Sequence, residues 1–286
     1  MVSLTIAGAI AEAARVLRAA GVNEARREAG TLIARALGRD RAYLITHDDE
    51  PLTPECLALL REWARRRARG EPLQYIAGRQ EFYGLEFTVT PDVLIPRPET
   101  ELLVETALEL LQGTNAPCVC DVGTGSGCIA VALLHERKDA RTIAVDLSPV
   151  ALCVAARNAA RHGVRERLAL VASDCFDALD PAAARFHLVV SNPPYIAEID
   201  MPGLQREVRD YEPRAALTPG GDGLAIVRRL LVETPSFLAP GGRLLFEIGH
   251  DQSERIAGCV DPRIWNLLDI REDLQGIPRV VVLGKR

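Results

Sequence analysis

The first part of the chain carries apolar side chains at helical spacing. They recur every three or four residues at Ile6, Ile10, Ala13 and Leu17. This pattern predicts a helix that ends at Gly21, because glycine readily adopts the positive φ that closes a helix. A second helix is predicted from a cap at Asn23 to a stop at Gly38. A third begins at Thr53, an N-cap placed before a proline, and ends at Gly70, so the pattern predicts a small helical bundle.

The helical period is lost after Gln74, and a different pattern follows. Glycine and proline lie among aromatic residues in residues 75–94, which suits a short hairpin or an extended connector. Beyond them, short apolar runs alternate with helix-length segments, which predicts a doubly wound α/β sheet. The predicted strands are 118–122, 142–147, 168–172, 188–191, 244–248 and 280–283. We therefore divide the chain into a helical domain (1–74), a hairpin linker (75–94) and an α/β domain (95–286).

Composition and charge narrow the class of protein. Of the 286 residues, 48% are apolar and 26% are charged, which is typical of a folded globular protein and not of a disordered chain. The 39 acidic residues outnumber the 34 lysines and arginines, giving a net charge of -5. A net negative charge disfavours a protein whose main function is to neutralise nucleic-acid phosphates across a broad surface. We therefore expect no direct binding of nucleic acid.

Residues 1–75 are the basic part of the chain, with 12 arginines against 10 acidic residues. Five of these arginines form a dense run: Arg61, Arg65, Arg66, Arg67 and Arg69. The run could contact an acidic partner or ribosomal RNA, or it could be an ordinary solvated helix face. For most of the five arginines we favour the solvated face.

The cysteines and histidines do not indicate a metal site or a disulfide framework. The seven cysteines include no Cys-x-x-Cys pair, and the five histidines are not spaced with them as metal ligands. Apolar residues 2–11 lack a preceding basic region, so we interpret them as a core-facing helix and not as a signal peptide. No uncharged apolar run approaches the ~20 residues of a transmembrane helix. We expect a cytoplasmic protein without membrane contact.

A glycine-rich loop, Asp121-Val-Gly123-Thr-Gly125-Ser-Gly127, follows directly after the predicted strand 118–122 and precedes a predicted helix. Glycines let the backbone approach a ligand closely at the carboxyl end of a strand. In the loop that binds dinucleotides, the third glycine comes one residue later, where this chain has Cys128. A ligand without phosphates therefore fits better.

Two acidic residues extend this prediction. Asp121 could pair with an ammonium group, and Asp146 ends the second strand at a distance along the chain where a carboxylate commonly meets ribose hydroxyls. S-adenosylmethionine has an ammonium group, a ribose and no phosphate. The alternative is a turn that only packs the helix on the sheet, with both acids solvated.

A second motif, Asn192-Pro193-Pro194-Tyr195, follows the predicted strand 188–191. The prolines remove two N-H donors and stiffen the turn, so the backbone carbonyls there become fixed hydrogen-bond acceptors. The oxygen of Asn192 is a further acceptor, and Tyr195 offers a flat face for a planar group. The structural alternative is a proline-rich turn that merely ends the strand.

Such acceptors suit methyl transfer to a weakly nucleophilic nitrogen. The lone pair of an amide or an exocyclic amine is delocalised, so the nitrogen reacts poorly by itself. The Asn192 oxygen and the Pro193 carbonyl can hold both N-H bonds, aim the lone pair and stabilise the positive charge that grows on the nitrogen. No nucleophilic side chain and no metal are needed.

With these motifs, the sequence resembles the PrmC/HemK family of release factor glutamine methyltransferases over almost the whole chain. Further matching segments are 97–101 (Arg-Pro-Glu-Thr-Glu), 146–149 (Asp-Leu-Ser-Pro), 173–174 (Ser-Asp), 211–217 (Tyr-Glu-Pro-Arg-Ala-Ala-Leu), 220–223 (Gly-Gly-Asp-Gly) and 240–249 (Pro-Gly-Gly-Arg-Leu-Leu-Phe-Glu-Ile-Gly). The resemblance implies a seven-stranded Rossmann-like methyltransferase domain with a small N-terminal helical domain that docks the substrate protein. It also implies methyl transfer from S-adenosylmethionine to the side-chain nitrogen (N5) of the Gln in the Gly-Gly-Gln motif of class I peptide chain release factors.

The resemblance also assigns site residues. The cofactor-binding residues would be Asp121, Gly123, Thr124, Gly125, Ser126, Gly127, Asp146, Asp174, Cys175 and Asn192, and the substrate-binding residues Asn192, Pro193, Pro194 and Tyr195. Of these, Asn192, Pro193 and Tyr195 would be the catalytic residues. Tyr195 would pack on the substrate amide. Many relatives have tryptophan beside the adenine where this chain has Cys175, and a thiol offers much less stacking area. The roles of Arg97, Glu99 and Glu101 stay open between bridging the linker to the site and capping a helix.

Three other functions remain open on the sequence alone. The chain could methylate a glutamine of a ribosomal protein, or it could be an adenine amino-methyltransferase acting on nucleic acid. It could also be a non-catalytic adaptor that keeps the cofactor fold to bind a partner. The acidic α/β domain disfavours the nucleic-acid substrate, and the intact Asn192 and glycine loop disfavour the adaptor.

Overall fold

The structure is a computed structural model that describes residues 4–183 and 185–286. Two positions of the predicted N-terminal helix 2–11, Val2 and Ser3, lie outside the described residues. The chain forms two compact units: Met1–Gly78 with Gln205–Tyr211, and Arg79–Leu204 with Glu212–Arg286. No helix in the described part of the chain is long and apolar enough to cross a membrane.

The first unit is a helical bundle. Its helices are α1 (Ile6–Ala19), α2 (Ala25–Leu37), α3 (Arg41–Thr46), α4 (Pro54–Ala68), α5 (Leu73–Ala77) and α9 (Arg206–Tyr211). The hydroxyl of Thr53 accepts the N-H of Cys56, as an N-cap should, and Gly38 ends α2 with a φ of 63°. The cap predicted at Asn23 is wrong. The cap position of α2 is Glu24, whose side chain makes no capping hydrogen bond, because the helix begins one residue later than the pattern suggested.

The arginine run on α4 is neutralised within the first unit. Arg61 pairs with Glu12 at 2.7 Å, and Arg66 pairs with Glu71 at 2.5 Å. The most buried of the five arginines, Arg67, bonds two carboxylates, at 2.6 and 2.9 Å. The remaining pairs are Arg65 with Glu62 at 2.7 Å and Arg69 with Glu62 at 3.9 Å. This run is therefore a set of intramolecular ion pairs.

The second unit is built on a seven-stranded sheet. Its strands are β3 (Cys118–Val122), β4 (Arg141–Asp146), β5 (Leu168–Ala172), β6 (Phe186–Ser191), β7 (Leu238–Glu247), β8 (Trp265–Glu272) and β9 (Pro278–Lys285). Their order is β5-β4-β3-β6-β7-β9-β8. β9 runs in the opposite direction to the other six strands. All six predicted strands are present, and the seven-stranded Rossmann-like fold is confirmed. The pattern missed β8, an edge strand in which Trp265 alone is buried.

Helices cover both faces of this sheet. They are α6 (Glu101–Leu110), α7 (Cys128–Glu136), α8 (Pro149–Arg161), α10 (Arg214–Leu217), α11 (Ala225–Glu233) and α12 (Ser253–Ala257), with 3-10 turns at Pro98–Thr100, Arg165–Arg167, Glu198–Gly203 and Thr234–Ser236. Two separate apolar clusters form the core. Leu188 and Val190 of β6 belong to one cluster, and Val189 belongs to the other. Because successive strand residues point to opposite faces, one cluster lies on each side of the sheet.

A two-stranded hairpin, β1 (Arg79–Phe82) and β2 (Leu85–Thr88), precedes the sheet in the second unit. Its two-residue turn is Tyr83-Gly84, and both residues have positive φ, as a tight hairpin turn requires. The backbone N-H of Tyr83 donates to the carboxylate of Glu101 at 2.7 Å. Glu101 therefore anchors the hairpin to the start of α6.

The buried amide of Asn158 on α8 joins this hairpin to the glycine loop. Its Oδ1 accepts the N-H of Thr88 at 2.8 Å, and its Nδ2 donates to the carbonyls of Thr88 at 3.0 Å and Ser126 at 2.8 Å. One side chain thus satisfies three backbone groups on two separate segments. We infer that the loop conformation depends on this contact.

Asn158→Ala should therefore destabilise the protein, because it leaves buried backbone groups without partners. We expect a loss of roughly 2–4 kcal/mol in the free energy of unfolding, measured by urea denaturation. The exposed neighbour Arg157 provides the control, and Arg157→Ala should change the stability by less than about 0.5 kcal/mol. Equal stabilities for the two variants would contradict the role of Asn158.

Candidate active site

A cavity of about 420 Å³ lies at the carboxyl ends of β3, β4, β5 and β6. The strand order reverses between β3 and β6, and open α/β sheets bind their ligands at such a point. The volume falls in the range of small-molecule sites. The wall contains Asp92, Arg97, Thr100, Gly123, Thr124, Gly125, Ser126, Asp146, Ser173, Asp174, Cys175, Asn192, Pro193 and Pro194, together with apolar residues.

The glycine loop forms one wall of this cavity. Gly123 and Gly125 have φ of 76° and 55°, and a Cβ atom added to either would meet no atom within 4 Å. Their open faces therefore leave space for a ligand against the backbone. Gly127 has a different role, because an added Cβ would lie 3.0 Å from the Cβ of Ala155 on α8. The third glycine thus allows close packing of two helices.

The carboxylate of Asp146 pins this loop from the end of β4. Its Oδ2 accepts the N-H of Gly125 at 2.8 Å, and its Oδ1 accepts the N-H of Ser148 at 2.8 Å. Burial raises the pKa of Asp146 above its usual range. Each carboxylate oxygen has more than one lone pair, so both can accept a further hydrogen bond from a ligand in the cavity.

Asp121 lies beneath the loop and is not part of the cavity wall. Its side chain is fully buried, and its Oδ2 accepts the hydroxyl of Thr124 at 2.7 Å. Its Oδ1 has no hydrogen-bond partner among the described residues. Burial raises the pKa of Asp121 to about 7. The structure thus gives Asp121 a contact with the loop, and its predicted pairing with an ammonium group stays a prediction.

The residues after β5 form the far wall. Asp174 pairs with Arg229 of α11 at 2.6 Å. Cys175 has a φ of 48°, in the left-handed region that non-glycine residues rarely adopt, and it is buried. Burial raises the pKa of the Cys175 thiol to about 11, so the group is a neutral apolar surface at neutral pH. This suits contact with a ring and does not suit nucleophilic chemistry.

The acceptor motif follows β6 on the opposite wall, and a chain of hydrogen bonds holds it. The Nδ2 of Asn192 donates to the hydroxyl oxygen of Thr100 at 3.0 Å. Thr100 donates in turn to Oε2 of Glu247 at 2.6 Å. Tyr195 donates to Oε1 of the same carboxylate at 3.3 Å. Asn192 and Tyr195 are therefore both tied to one buried carboxylate.

Sequence reasoning missed Thr100 and Glu247. Glu247 ends β7, is 1% exposed and has a pKa raised by burial to about 7. Both residues lie in segments that match the family, 97–101 and 240–249, so their position in a motif was the available signal. Nothing in their spacing indicated that they touch, because they are 147 residues apart.

Contacts outside the cavity hold the loop that carries Asn192-Pro193-Pro194-Tyr195. The side chain of Gln252 donates to the carbonyl of Tyr195 at 2.8 Å and accepts the N-H of Gly249 at 3.0 Å. A Cβ on Gly223 would lie 2.3 Å from the carbonyl oxygen of Tyr195, so only glycine fits there. The segment 220–223 is thus needed for close backbone packing.

Arg97 and Glu99 have different surroundings in the structure. Arg97 lines the cavity and is paired with the buried Glu212, which also accepts the N-H of Ile95 at 3.1 Å. The carboxylate of Glu99 raises the pKa of Glu247 slightly through its charge. Arg97 therefore fixes the segment that carries Thr100, and Glu101 holds the hairpin as described above.

The structure brings most of the predicted site residues into one cavity. Gly123 to Gly127, Asp146, Asp174, Cys175 and Asn192 to Pro194 all line it, whereas Asp121 and Tyr195 do not. Charges on the wall are mainly acidic, and its one guanidinium, that of Arg97, is already paired. This surface suits a ligand with positive charge and a sugar better than a ligand with phosphates.

The sheet order, the glycine loop and this cavity define a Rossmann-like methyltransferase. A family model described as "Methyltransferase small domain" matches residues 98–229, and one described as "PrmC N-terminal domain" matches residues 8–78. The crystal structure of a ribosomal protein L11 methylase from Lactobacillus delbrueckii subsp. bulgaricus has a TM-score of 0.50 and 20% identity, covering 69% of this chain and 84% of that one. At that identity, it supports the fold alone.

Relatives at much higher identity define the family. A release factor glutamine methyltransferase of Burkholderia pseudomallei (strain K96243) is 48% identical over 275 residues, which cover 94% of this chain and 94% of that protein. Another, from Geobacter sulfurreducens, is 48% identical over 91% of this chain and 90% of that protein. This chain belongs to the family of release factor glutamine methyltransferases.

The raised pKa of Asp121 predicts a pH-dependent stability. Its pKa rises from the ordinary 3.8 to about 7 on folding, so its contribution to stability is present in acid and is lost as the pH rises through about 7. Asp121→Asn retains an oxygen for Thr124 and cannot ionise. Relative to the wild type, the variant should gain a few kcal/mol between about pH 4 and about pH 8, at ~1.4 kcal/mol per pKa unit.

Urea denaturation at several pH values measures this difference. Asp49 is exposed and serves as the control, because Asp49→Asn should show no such pH dependence. A stability difference between Asp121→Asn and the wild type that stays constant with pH would contradict the assignment.

Proposed function

We propose that this chain transfers a methyl group from S-adenosylmethionine to the side-chain amide nitrogen of the glutamine in the Gly-Gly-Gln motif of class I peptide chain release factors. The observation that carries the proposal is the position of Asn192. Its amide is held by Thr100 in the wall of the same cavity that the glycine loop lines. Membership of the family supports the reaction, and the arrangement of the acceptors supports the assignment of residues.

The residues of the cavity fit S-adenosylmethionine. The open faces of Gly123 and Gly125 leave room for the methionine part, and the oxygens of Asp146 remain able to accept ribose hydroxyls. The apolar surface at Cys175 would meet the adenine ring. When bound, S-adenosylmethionine supplies the electrophilic methyl carbon, and S-adenosylhomocysteine is the product.

Asn192 and Pro193 would act on the substrate amide. Nδ2 of Asn192 donates its hydrogen bond to Thr100. Oδ1 of Asn192 is the other end of this amide and can therefore accept an N-H of the substrate. The carbonyl of Pro193 would accept the second N-H. Two fixed acceptors localise the nitrogen lone pair and stabilise the charge that develops on the nitrogen, without solvent reorganisation. Pro194 and Tyr195 would complete the wall around the substrate side chain.

We assign the docking of the release factor to the helical unit, in line with the domains predicted from the sequence. A pocket that accepts one glutamine side chain cannot distinguish one substrate protein from others, so a second contact surface is required. The match of residues 8–78 to the PrmC N-terminal domain model supports this role. Since each arginine of the α4 run already has an acidic partner, we do not assign docking to their charge.

A cytoplasmic location fits this proposal. All seven cysteines are free thiols in the structure, and Cys153 is exposed among them. Free thiols are the usual state of cysteine in a reducing compartment.

The identity of the substrate is tested by offering the enzyme three possible methyl acceptors in parallel. Purified release factor, ribosomes and DNA are each incubated with the enzyme and radiolabelled S-adenosylmethionine. We expect label in the release factor, and mass spectrometry of its digest should show one added methyl group on the glutamine of Gly-Gly-Gln. Label in a ribosomal protein or in DNA would support the alternative substrates, and partner binding without any transfer would support a non-catalytic adaptor.

Asn192→Ala tests the assigned acceptor. Because the side chain acts on the substrate nitrogen, methylation should fall by at least about 100-fold, or roughly 3 kcal/mol of transition-state stabilisation. Calorimetry with S-adenosylhomocysteine should show nearly unchanged cofactor affinity. Asn266 on the exposed edge strand provides a matched control, and Asn266→Ala should retain activity. Equal turnover in the wild type and Asn192→Ala would exclude the role of Asn192.

A further inference from the structure

We infer that Thr100 and Glu247 are positioning residues that fix which end of the Asn192 amide faces the substrate. The inference deepens the proposed function and rests on it. The oxygen and the NH₂ group of an asparagine have nearly the same shape, so packing alone does not choose between the two orientations. Only the oxygen can accept the substrate N-H, whereas a rotated amide would place a donor against a donor.

The orientation follows from the proton of one hydroxyl group. Thr100 has a single O-H, and Oε2 of Glu247 lies 2.6 Å from its oxygen. An ionised carboxylate only accepts, so Thr100 must donate to Glu247. The Thr100 oxygen then offers only lone pairs to Asn192, 3.0 Å away. Nδ2 must therefore face Thr100, which leaves Oδ1 for the substrate.

Burial preserves the direction of the hydrogen bonds from Asn192 to Thr100 and from Thr100 to Glu247. Thr100 is 2% exposed and Glu247 is 1% exposed, so water does not compete for their hydrogen bonds. Glu247 does not line the cavity, so it acts on the substrate through the residues that it holds. It also accepts Tyr195 at 3.3 Å, so one carboxylate fixes both ends of the acceptor motif.

Protonation of Glu247 would remove the constraint. A neutral carboxyl group can donate to Thr100, and the hydroxyl can then donate to Oδ1 of a rotated Asn192. The charged or titratable groups around Glu247 are Glu99, Tyr195, Arg279 and Cys128. Arg279 favours the ionised form but is shared with Asp273 at 2.9 Å, and burial raises the pKa of Glu247 to about 7. Activity should therefore fall as the pH drops through about 7.

Removal of the hydroxyl is the sharpest test. Thr100→Val keeps the shape but frees the Asn192 amide to rotate, so we expect kcat to fall roughly 10- to 100-fold, the usual effect of losing an orienting partner. KM for the release factor and affinity for S-adenosylhomocysteine should change little. Thr100→Ser restores the hydroxyl and should recover most of the lost rate.

A matched control separates positioning from stability. Thr106 is equally buried in α6, the helix that follows Thr100, and donates to the carbonyl of Leu102 at 2.7 Å, so Thr106→Val also removes one internal hydrogen bond. It should retain the wild-type kcat. Equal losses in Thr100→Val and Thr106→Val, or no loss in either, would overturn the inference.

The pH profile tests the part played by Glu247. The wild type should lose kcat below about pH 7, and Glu247→Gln should show a lower rate without this acid limb. Asp49 is an exposed carboxylate away from the cavity, so Asp49→Asn serves as the comparison and should keep the acid limb. An acid limb that persists in Glu247→Gln would exclude Glu247 as its source.

NMR of the Asn192 side chain provides a test that needs no turnover. Its NH₂ signals are assigned by their absence in Asn192→Ala, and they should shift with an apparent pKa near 7 in the wild type but not in Glu247→Gln. Failure of the wild type to methylate a release factor would refute the proposed function and leave this result unaffected. NH₂ signals that are the same in Thr100→Val and the wild type would refute the positioning role.

Discussion

The site depends on a fixed direction of hydrogen bonding in a place that excludes water. An amide nitrogen is a weak nucleophile, and the proposed mechanism needs no nucleophilic side chain of the enzyme. In the proposed reaction, the fold provides a pair of fixed acceptors at Asn192 and Pro193. The buried carboxylate of Glu247 is the origin of that direction, because it takes the only proton of the Thr100 hydroxyl.

The sheet explains why these residues meet. Parallel strands bring their carboxyl ends to one edge, so the loops after β3, β4, β5 and β6 surround one cavity although they are far apart in sequence. Two of these loops are then held by contacts from elsewhere. Asp146 holds the glycine loop, Gln252 holds the acceptor loop, and Asn158 joins the glycine loop to the hairpin.

Local patterns predicted the fold and most of the cavity. Apolar runs indicated six of the seven strands, and the two loops were visible because glycine widens and proline narrows the conformations open to the backbone. The missing strand, Trp265–Glu272, is an edge strand in which Trp265 alone is buried, so it lacks the apolar run of a central strand. The contact of Thr100 with Glu247 was not predictable from spacing, because it is created by packing. The charge of the arginine run was visible in the sequence, but the pairing of Arg61 and Arg67 with acids on other helices was not.

The most direct test is a neutron diffraction structure of the enzyme with S-adenosylhomocysteine and a Gly-Gly-Gln peptide, in which the deuterium positions identify donors and acceptors. The account predicts that the substrate nitrogen donates to Oδ1 of Asn192 and to the carbonyl of Pro193, while Nδ2 of Asn192 donates to Thr100. A substrate glutamine bound away from residues 192 and 193, or an Asn192 amide with its oxygen towards Thr100, would contradict it.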